Sequence, residues 1–154
     1  MFFDADREFR LDRLDQALLA ADEPTYDLFS EIITGICARF AALKRSPDAL
    51  RVVKLIEAGA WTDAALALLE LELPVWRIRR LAYEDGEWIC SLSQQPNVPI
   101  ALDDVVDARH GAMPFAILLA FLAARRVGAM SCNIPADAAG LLAPAASLCC
   151  DNFA

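Results

Sequence analysis

The chain has 154 residues, of which 57% are hydrophobic, and its formal net charge at neutral pH is −8. This length suits a single domain with a sizeable buried core. The negative charge argues against nucleic acid as a partner, because phosphate backbones attract basic surfaces. The chain has only six glycines and no phosphate-binding loop, dinucleotide fingerprint or G-x-S-x-G motif, so no familiar enzyme class and no cofactor is predicted.

The N-terminal segment concentrates the negative charge. Residues 1–31 contain nine acidic and three basic residues. Apolar side chains spaced through residues 7–21 predict an amphipathic helix with a thin apolar stripe, so residues 1–24 are assigned to an acidic N-terminal helix. Two interpretations of this helix remain open. It is either a solvated face that keeps the protein in solution, or an acidic arm that mimics nucleic acid or docks on a basic partner.

Three further helices are predicted from apolar residues at spacings of three and four. They cover residues 26–44, 48–58 and 62–73. The hydroxyls of Thr25 and Ser46 are suited to cap the first two of these helices at their N-termini. Gly59 is placed to end the helix over 48–58.

A β-hairpin over about residues 75–93 is the clearest local signal. Two runs rich in aromatic and β-branched residues flank a turn in which Gly86 can take a positive φ. A lone hairpin is only marginally stable in water, and its open edges need cover. Either residues 98–102 add a strand or a second copy of the chain does, which is why a homodimer is expected.

The C-terminal third begins with a loop over 94–102 and a short helix capped by Asp103 or Asp104. An apolar helix follows over 114–126. The apolar run from Ala112 to Ala124 is thirteen residues long. A membrane span needs about 20 residues, so a buried core helix is predicted and no membrane association.

The sequence therefore predicts an α+β fold that is mainly helical. One domain covers residues 1–128, with the hairpin packed on helix 114–126, and a loosely structured tail covers 129–154. The five cysteines are odd in number and include no C-x-x-C pair, and the acidic N-terminus lacks the apolar core of a signal peptide. These features predict a cytoplasmic protein with free thiols.

Asp103, Asp107 and His110 form the candidate metal site. On a helix their spacings of four and three would place all three side chains on one face, where carboxylate and imidazole groups can bind a divalent cation. The alternative is helix capping, in which acidic residues near an N-terminus offset the helix dipole.

Trp76, Arg79 and Ile89 form the candidate interaction surface on the hairpin, with Ile89 expected at a dimer contact. The run R-I-R-R at 77–80 lies among aromatic residues, a composition that also occurs in single-stranded nucleic acid binders. Neighbouring acidic residues can instead pair with these arginines across the hairpin, and the net charge favours that interpretation.

The segments E-D-G-E-W-I-C-S-L-S, L-D-D-V-V-D-A-R-H and P-F-A-I-L-L-A-F-L, within residues 84–122, resemble small bacterial proteins of no assigned activity. Their order of hairpin, loop and apolar helix is also similar to that of small phage-type α/β sandwich domains. The resemblance implies a fold and supplies no site.

The predicted role is that of a cytoplasmic, non-enzymatic protein-interaction or regulatory module that acts as a homodimer. The alternative is a small-ligand or divalent-metal-binding protein whose site is centred on Asp103, Asp107 and His110. This alternative includes a weak enzyme that uses the same site.

Overall fold

The computed structural model describes residues 2–131, which form six α-helices and a three-stranded antiparallel sheet. This arrangement confirms the predicted α+β, mainly helical fold. In chain order the elements are α1 (Phe2–Ala20), α2 (Tyr26–Ile36), α3 (Ala38–Ala42), α4 (Pro47–Glu57), α5 (Trp61–Glu72), β1 (Arg77–Glu84), β2 (Glu87–Ser93), β3 (Val105–His110) and α6 (Met113–Ser131).

The predicted helix ends are confirmed by their capping contacts. Thr25 Oγ1 accepts a hydrogen bond of 3.3 Å from the Leu28 amide at the start of α2. Ser46 Oγ accepts one of 3.2 Å from the Ala49 amide at the start of α4. Gly59 follows α4 with a φ of +72°, a conformation that a residue without a Cβ adopts at little cost.

The single helix predicted over 26–44 is wrong, because Cys37 interrupts it. Cys37 has φ −94° and ψ 77°, outside the helical region, and separates α2 from α3. The new helix start leaves backbone amides without helical partners. The Phe40 amide donates to Glu72 Oε1 at 2.5 Å, and the Arg39 amide donates to Glu72 Oε2 at 3.4 Å. A buried carboxylate from α5 therefore caps α3, which is a tertiary contact that local spacing cannot reveal.

Helix α1 packs on α2 through one narrow stripe. Among the α1 side chains whose burial is described, the buried ones are Leu11, Leu14 and Leu18, spaced by three and four residues. Gly35 of α2 lies opposite, and a Cβ there would be 3.8 Å from Leu14 Cδ1. Most of the remaining surface of α1 faces solvent, as the solvated-face interpretation expects.

The predicted hairpin is confirmed and extended by a third strand. Asp85 and Gly86, with φ values of 53° and 85°, form the turn between β1 and β2. Strand order in the sheet is β1-β2-β3, and both pairings are antiparallel. The third strand comes from β3 and not from residues 98–102. Strand β3 therefore covers the β2 edge of the hairpin, where the sequence leaves open a strand from a second copy of the chain.

The short helix predicted over residues 103–110 is wrong, since β3 occupies most of that segment. Asp103 or Asp104 resembles a helix cap, and the following Val, Ala and His residues suit either structure. Hydrogen bonding to β2 decides the outcome, because tertiary pairing overrides weak local preference.

Helix α6 forms the centre of the core. Every side chain from Pro114 to Leu122 is buried, so this helix is apolar on all sides. Phe115 contacts the ring of His110 at the end of β3, edge to face, with centroids 4.9 Å apart. Within the residues described, no helix combines the length and apolar character needed to cross a membrane.

The chain divides into two units after Ala124. The predicted domain over 1–128 with a tail over 129–154 stays a prediction. All sites discussed below lie in the first unit. Helix α6 continues to Ser131, past the predicted start of the tail at residue 129. The rest of the predicted tail, with the short helix suggested near 136–143, lies outside the described residues.

Candidate functional site

The three predicted metal ligands do not share one face. Asp103 precedes β3, whereas Asp107 and His110 lie within it. Successive side chains of a strand point to opposite faces, so a separation of three residues places Asp107 and His110 on opposite sides of the sheet. No group of three His, Cys, Asp or Glu side chains between residues 2 and 131 is placed to hold a metal ion. The metal-site hypothesis therefore loses the helical geometry on which it was based.

Asp103 takes part in a buried polar network at one end of the sheet. Its Oδ2 accepts a hydrogen bond of 2.7 Å from Arg79 Nη1 and another from Ser93 Oγ. Arg79 Nη2 donates to the carbonyl of Val98 at 2.8 Å. The Asp103 side chain is only 2% exposed, and its charge is balanced by the guanidinium. The network holds the loop between β2 and β3 against the sheet, which is a structural role.

Arg79 reaches this network because β1 contains a bulge. Ile78 pairs with Leu92 and Arg80 pairs with Ser91, so Arg79 is an extra residue in β1. A bulge re-aims the side chain of its extra residue. Arg79 thus turns toward Asp103 and the β2–β3 loop.

Asp107 and the neighbouring Cys90 offer no activated nucleophile. The Ser91 hydroxyl donates a hydrogen bond to Asp107 Oδ1. Burial, with a further contribution from the charge of Asp107, raises the pKa of the Cys90 thiol from 9.0 to about 12. Since the thiolate is the reactive form, Cys90 is protonated and unreactive at neutral pH.

His110, the only histidine of the chain, is held by local contacts. Its Nδ1 accepts a hydrogen bond of 2.9 Å from the Ala112 amide, so the proton of the neutral ring resides on Nε2. Trp88 is its cross-strand neighbour, and the ring of Tyr83 lies 5.3 Å from that of Trp88. His110 therefore belongs to an aromatic row across the sheet, on the face opposite Ser91, and cannot serve that hydroxyl as a base.

The predicted interaction residues Trp76, Arg79 and Ile89 are largely withdrawn from solvent. Trp76 is 4% exposed and Ile89 is 3% exposed. Ile89 lies on the central strand β2, opposite Ala82 on one side and Arg109 on the other. Residues buried in this way present little surface to a partner. The position of Ile89 also removes it from the sheet edge where a dimer contact was expected.

Two oppositely charged helical surfaces stand out among the exposed residues. The acidic surface lies on α1, on α2 and on the turn between them. Its exposed acids are Asp4, Asp6, Glu8, Asp12, Asp22, Glu23, Asp27 and Glu31. Large apolar side chains are exposed among them: Phe9 is 70% exposed, Leu19 62% and Tyr26 60%.

Phe9 lies on the side of α1 that faces away from the protein. At 100° per residue it is almost opposite the buried stripe of Leu11, Leu14 and Leu18. Asp6 and Asp12 are three residues before and after Phe9, so both flank it on the outer side of the helix. Phe9 is therefore an exposed aromatic side chain with a carboxylate on either side of it.

The basic surface comprises Arg39, Leu43, Lys44, Arg45, Leu50, Arg51 and Lys54, on α3, α4 and their connection. All seven residues are exposed. Between residues 39 and 54 the chain has five basic residues and one acidic residue. The ion pairs formed within the described part of the chain involve none of Lys44, Arg45, Arg51 and Lys54.

A small cleft adjoins the basic surface between α4 and α5. It has a volume of about 90 Å³ and is lined by Asp48, Arg51, Ala67, Glu70 and Leu71. Sites for small organic ligands are usually about 300–1,000 Å³. The cleft is too small for such a ligand. The Arg39 side chain donates to the Leu71 carbonyl at 2.9 Å, which places Arg39 beside the same cleft.

The sequence indicated only half of this charge pattern. The excess of acids in residues 1–31 is evident from the sequence, whereas the sequence does not predict a common surface for the basic residues between 39 and 54. The exposure of Arg51 and Lys54 depends on which side of α4 is buried, namely that of Ala49, Val52 and Ile56. The spacing of these residues is the signal that could have identified Leu50, Arg51 and Lys54 as an outer face.

Comparison with protein-family models, with curated protein sequences and with solved structures finds no match for this chain. The resemblance of residues 84–122 to small bacterial proteins therefore stays a prediction.

Proposed function

We propose that this protein is a non-enzymatic protein-interaction module whose acidic surface docks on a basic protein surface. The observation that carries the proposal is the exposure of Phe9, Leu19 and Tyr26 among the acids of α1 and α2. Interface cores are rich in aromatic side chains, and charged rims steer the encounter of complementary surfaces. A face of this composition suits a partner with basic and apolar side chains.

The state of the candidate catalytic groups supports the same proposal. The Cys90 thiol is protonated at neutral pH because burial raises its pKa, and His110 lies across the sheet from Ser91. The hydroxyls of Ser91 and Ser93 donate to carboxylates. Each group has a structural partner or a buried position, and the cleft at the basic surface is too small for an organic substrate.

We further propose that the module acts in the cytoplasm as a homodimer. The free thiols of Cys37 and Cys90 are buried, which suits a reducing compartment. The charged surfaces of α1 to α4 are a more suitable dimer contact than the sheet. Arg79 forms a bulge in β1, and bulges and charged residues on outer strands discourage edge-to-edge pairing.

The test uses two double variants as bait in binding experiments. Each variant is mixed with extract from the organism of origin and, separately, with a second, differently tagged copy of the chain. The variant Phe9→Ser/Leu19→Ser removes the apolar centre of the acidic surface. The matched control is Val75→Ser/Leu102→Ser, which removes two equally exposed apolar side chains from the sheet region.

Any protein retained by the wild type and the control, but lost with Phe9→Ser/Leu19→Ser, is then purified and its affinity measured by calorimetry. Direct binding that depends on Phe9 and Leu19 supports the proposal. If neither another protein nor a second copy binds through this surface, the proposal is rejected.

A further inference from the structure

We infer that the partner of the acidic surface is the basic surface of a second copy of this chain. This inference rests on the proposed function and names the partner. In the dimer, the face of α1 and α2 on one protomer docks against α3, α4 and their connection on the other, and the reverse contact forms at the same time.

Charge complementarity within a single chain is the first argument. The exposed acids of α1 and α2 are opposed by five exposed basic residues between 39 and 54. Arg51 and Lys54 form no ion pair with a described residue. A chain with net charge −8 still repels its own copies at long range. Association therefore requires that acidic and basic residues lie on separate surfaces, so that the docked orientation brings opposite charges together and keeps like charges apart.

The exposed apolar side chains are the second argument. The acidic surface presents Phe9, Leu19 and Tyr26, and the basic surface presents Leu43 and Leu50. Leu50 lies on the outer face of α4, one residue before Arg51 and four before Lys54, so an apolar centre has cations beside it. Each surface thus offers apolar contact area with charged residues around it, and the predominant charge of one surface is opposite to that of the other.

Two copies can satisfy both surfaces at once. If α1 of one protomer contacts α4 of its partner, a two-fold axis makes α4 of the first contact α1 of the second. Such an isologous dimer closes on itself. Both sets of exposed apolar side chains are then covered without any third molecule.

The test is a charge-swap experiment followed by sedimentation velocity. Variant one, Arg51→Glu/Lys54→Glu, reverses the two charges beside Leu50 on the basic surface. Variant two, Asp6→Lys/Asp12→Lys, reverses the two charges that flank Phe9 on the acidic surface. We expect the wild type to sediment as a dimer at low salt, and each variant alone to dissociate with a dimer dissociation constant at least about tenfold higher, because like charges then face each other.

The decisive measurement is the equimolar mixture of the two variants. In the mixed dimer the swapped residues of one chain again face opposite charges on the other. We therefore expect the mixture to form a heterodimer at concentrations at which each variant alone is mainly monomeric. Raising the salt from about 50 mM to about 500 mM should weaken the wild-type dimer, because ions screen exposed charges.

The matched control for variant one is Arg77→Glu/Arg109→Glu, which makes the same change in net charge at two exposed positions of the sheet. It should dimerise like the wild type, and circular dichroism should show that all variants are folded. A wild-type monomer at low salt, or a mixture that stays monomeric, overturns this inference. If another protein then binds through Phe9 and Leu19, the proposed function stands without it.

Discussion

The carboxylate of Glu72, at the end of α5, accepts a hydrogen bond of 2.5 Å from the backbone amide of Phe40 in the first turn of α3. Glu72 is buried, and its second oxygen accepts from the Arg39 amide. One side chain thus links two helices and satisfies amides that the break at Cys37 leaves without helical partners.

Replacing Glu72 by alanine should lower the free energy of unfolding by about 1–3 kcal/mol, because the buried Phe40 amide and the partly buried Arg39 amide lose a charged acceptor. Urea unfolding measures this difference. Glu70→Ala, at an exposed position on the same helix, is the control and should change the free energy by no more than about 0.5 kcal/mol. Equal effects of the two substitutions would show that the Glu72 contact contributes no stability.

Asp103→Ala should destabilise the protein by about 2–3 kcal/mol, since it removes a charged acceptor from Arg79 and Ser93. The loss should also release the loop between β2 and β3. Limited proteolysis under native conditions should then cut within residues 94–104 faster than in the wild type. Asp104→Ala, at the neighbouring exposed position, should leave both stability and cleavage unchanged. Unchanged cleavage in Asp103→Ala would refute the structural role of the network.

Ile89→Lys should prevent stable folding instead of producing a folded monomer. Ile89 is buried on the central strand, and a lysine there would place an unpaired charge in the protein interior. Far-ultraviolet circular dichroism and a thermal melt check this. Glu87→Lys, an exposed change on the same strand, should remain folded. A well-folded Ile89→Lys variant would contradict the observed register of β2.

Alkaline pH should weaken the fold through Cys90. Burial, and then the charge of Asp107, raises the pKa of this thiol from 9.0 to about 12 in the folded chain. Between these values the unfolded chain loses the proton and the folded chain keeps it. The contribution to stability is therefore fully present below about pH 9 and is lost as the pH rises toward 12.

Urea unfolding at several pH values should show a steeper alkaline decline for the wild type than for Cys90→Ala. In the native protein the Cys90 thiol should also react with a thiol reagent far more slowly than after unfolding. Identical slopes, or rapid labelling of native Cys90, would show that the thiol is not buried as described.

The sequence predicts those parts of the fold that depend on neighbouring residues. Thr25, Ser46 and Gly59 act at helix ends because caps need only the adjacent turn. Gly86 identifies the hairpin for the same reason. The break at Cys37 was missed, since it depends on Glu72, which lies more than thirty residues further along the chain.

The candidate site illustrates the same limit. Six residues from Val105 to His110 are too few for the helical and strand periods to be told apart, and β2 decides between them. Because the segment is a strand, Asp107 and His110 lie on opposite faces of the sheet. The acidic segment was recognised from local composition, but the basic surface depends on which side of α4 is buried against its neighbours.

The order of the strands in the sheet equals their order along the chain. Each strand pairs with the one before it, and a turn of two residues closes the first pair. Such a sheet pairs strands that are neighbours along the chain, and proteins dominated by contacts between near neighbours fold fast, within about milliseconds or less. The strand order of this sheet therefore favours rapid folding. Its sheet can form by a local search, strand after strand, with little time for unpaired edges to meet those of other chains.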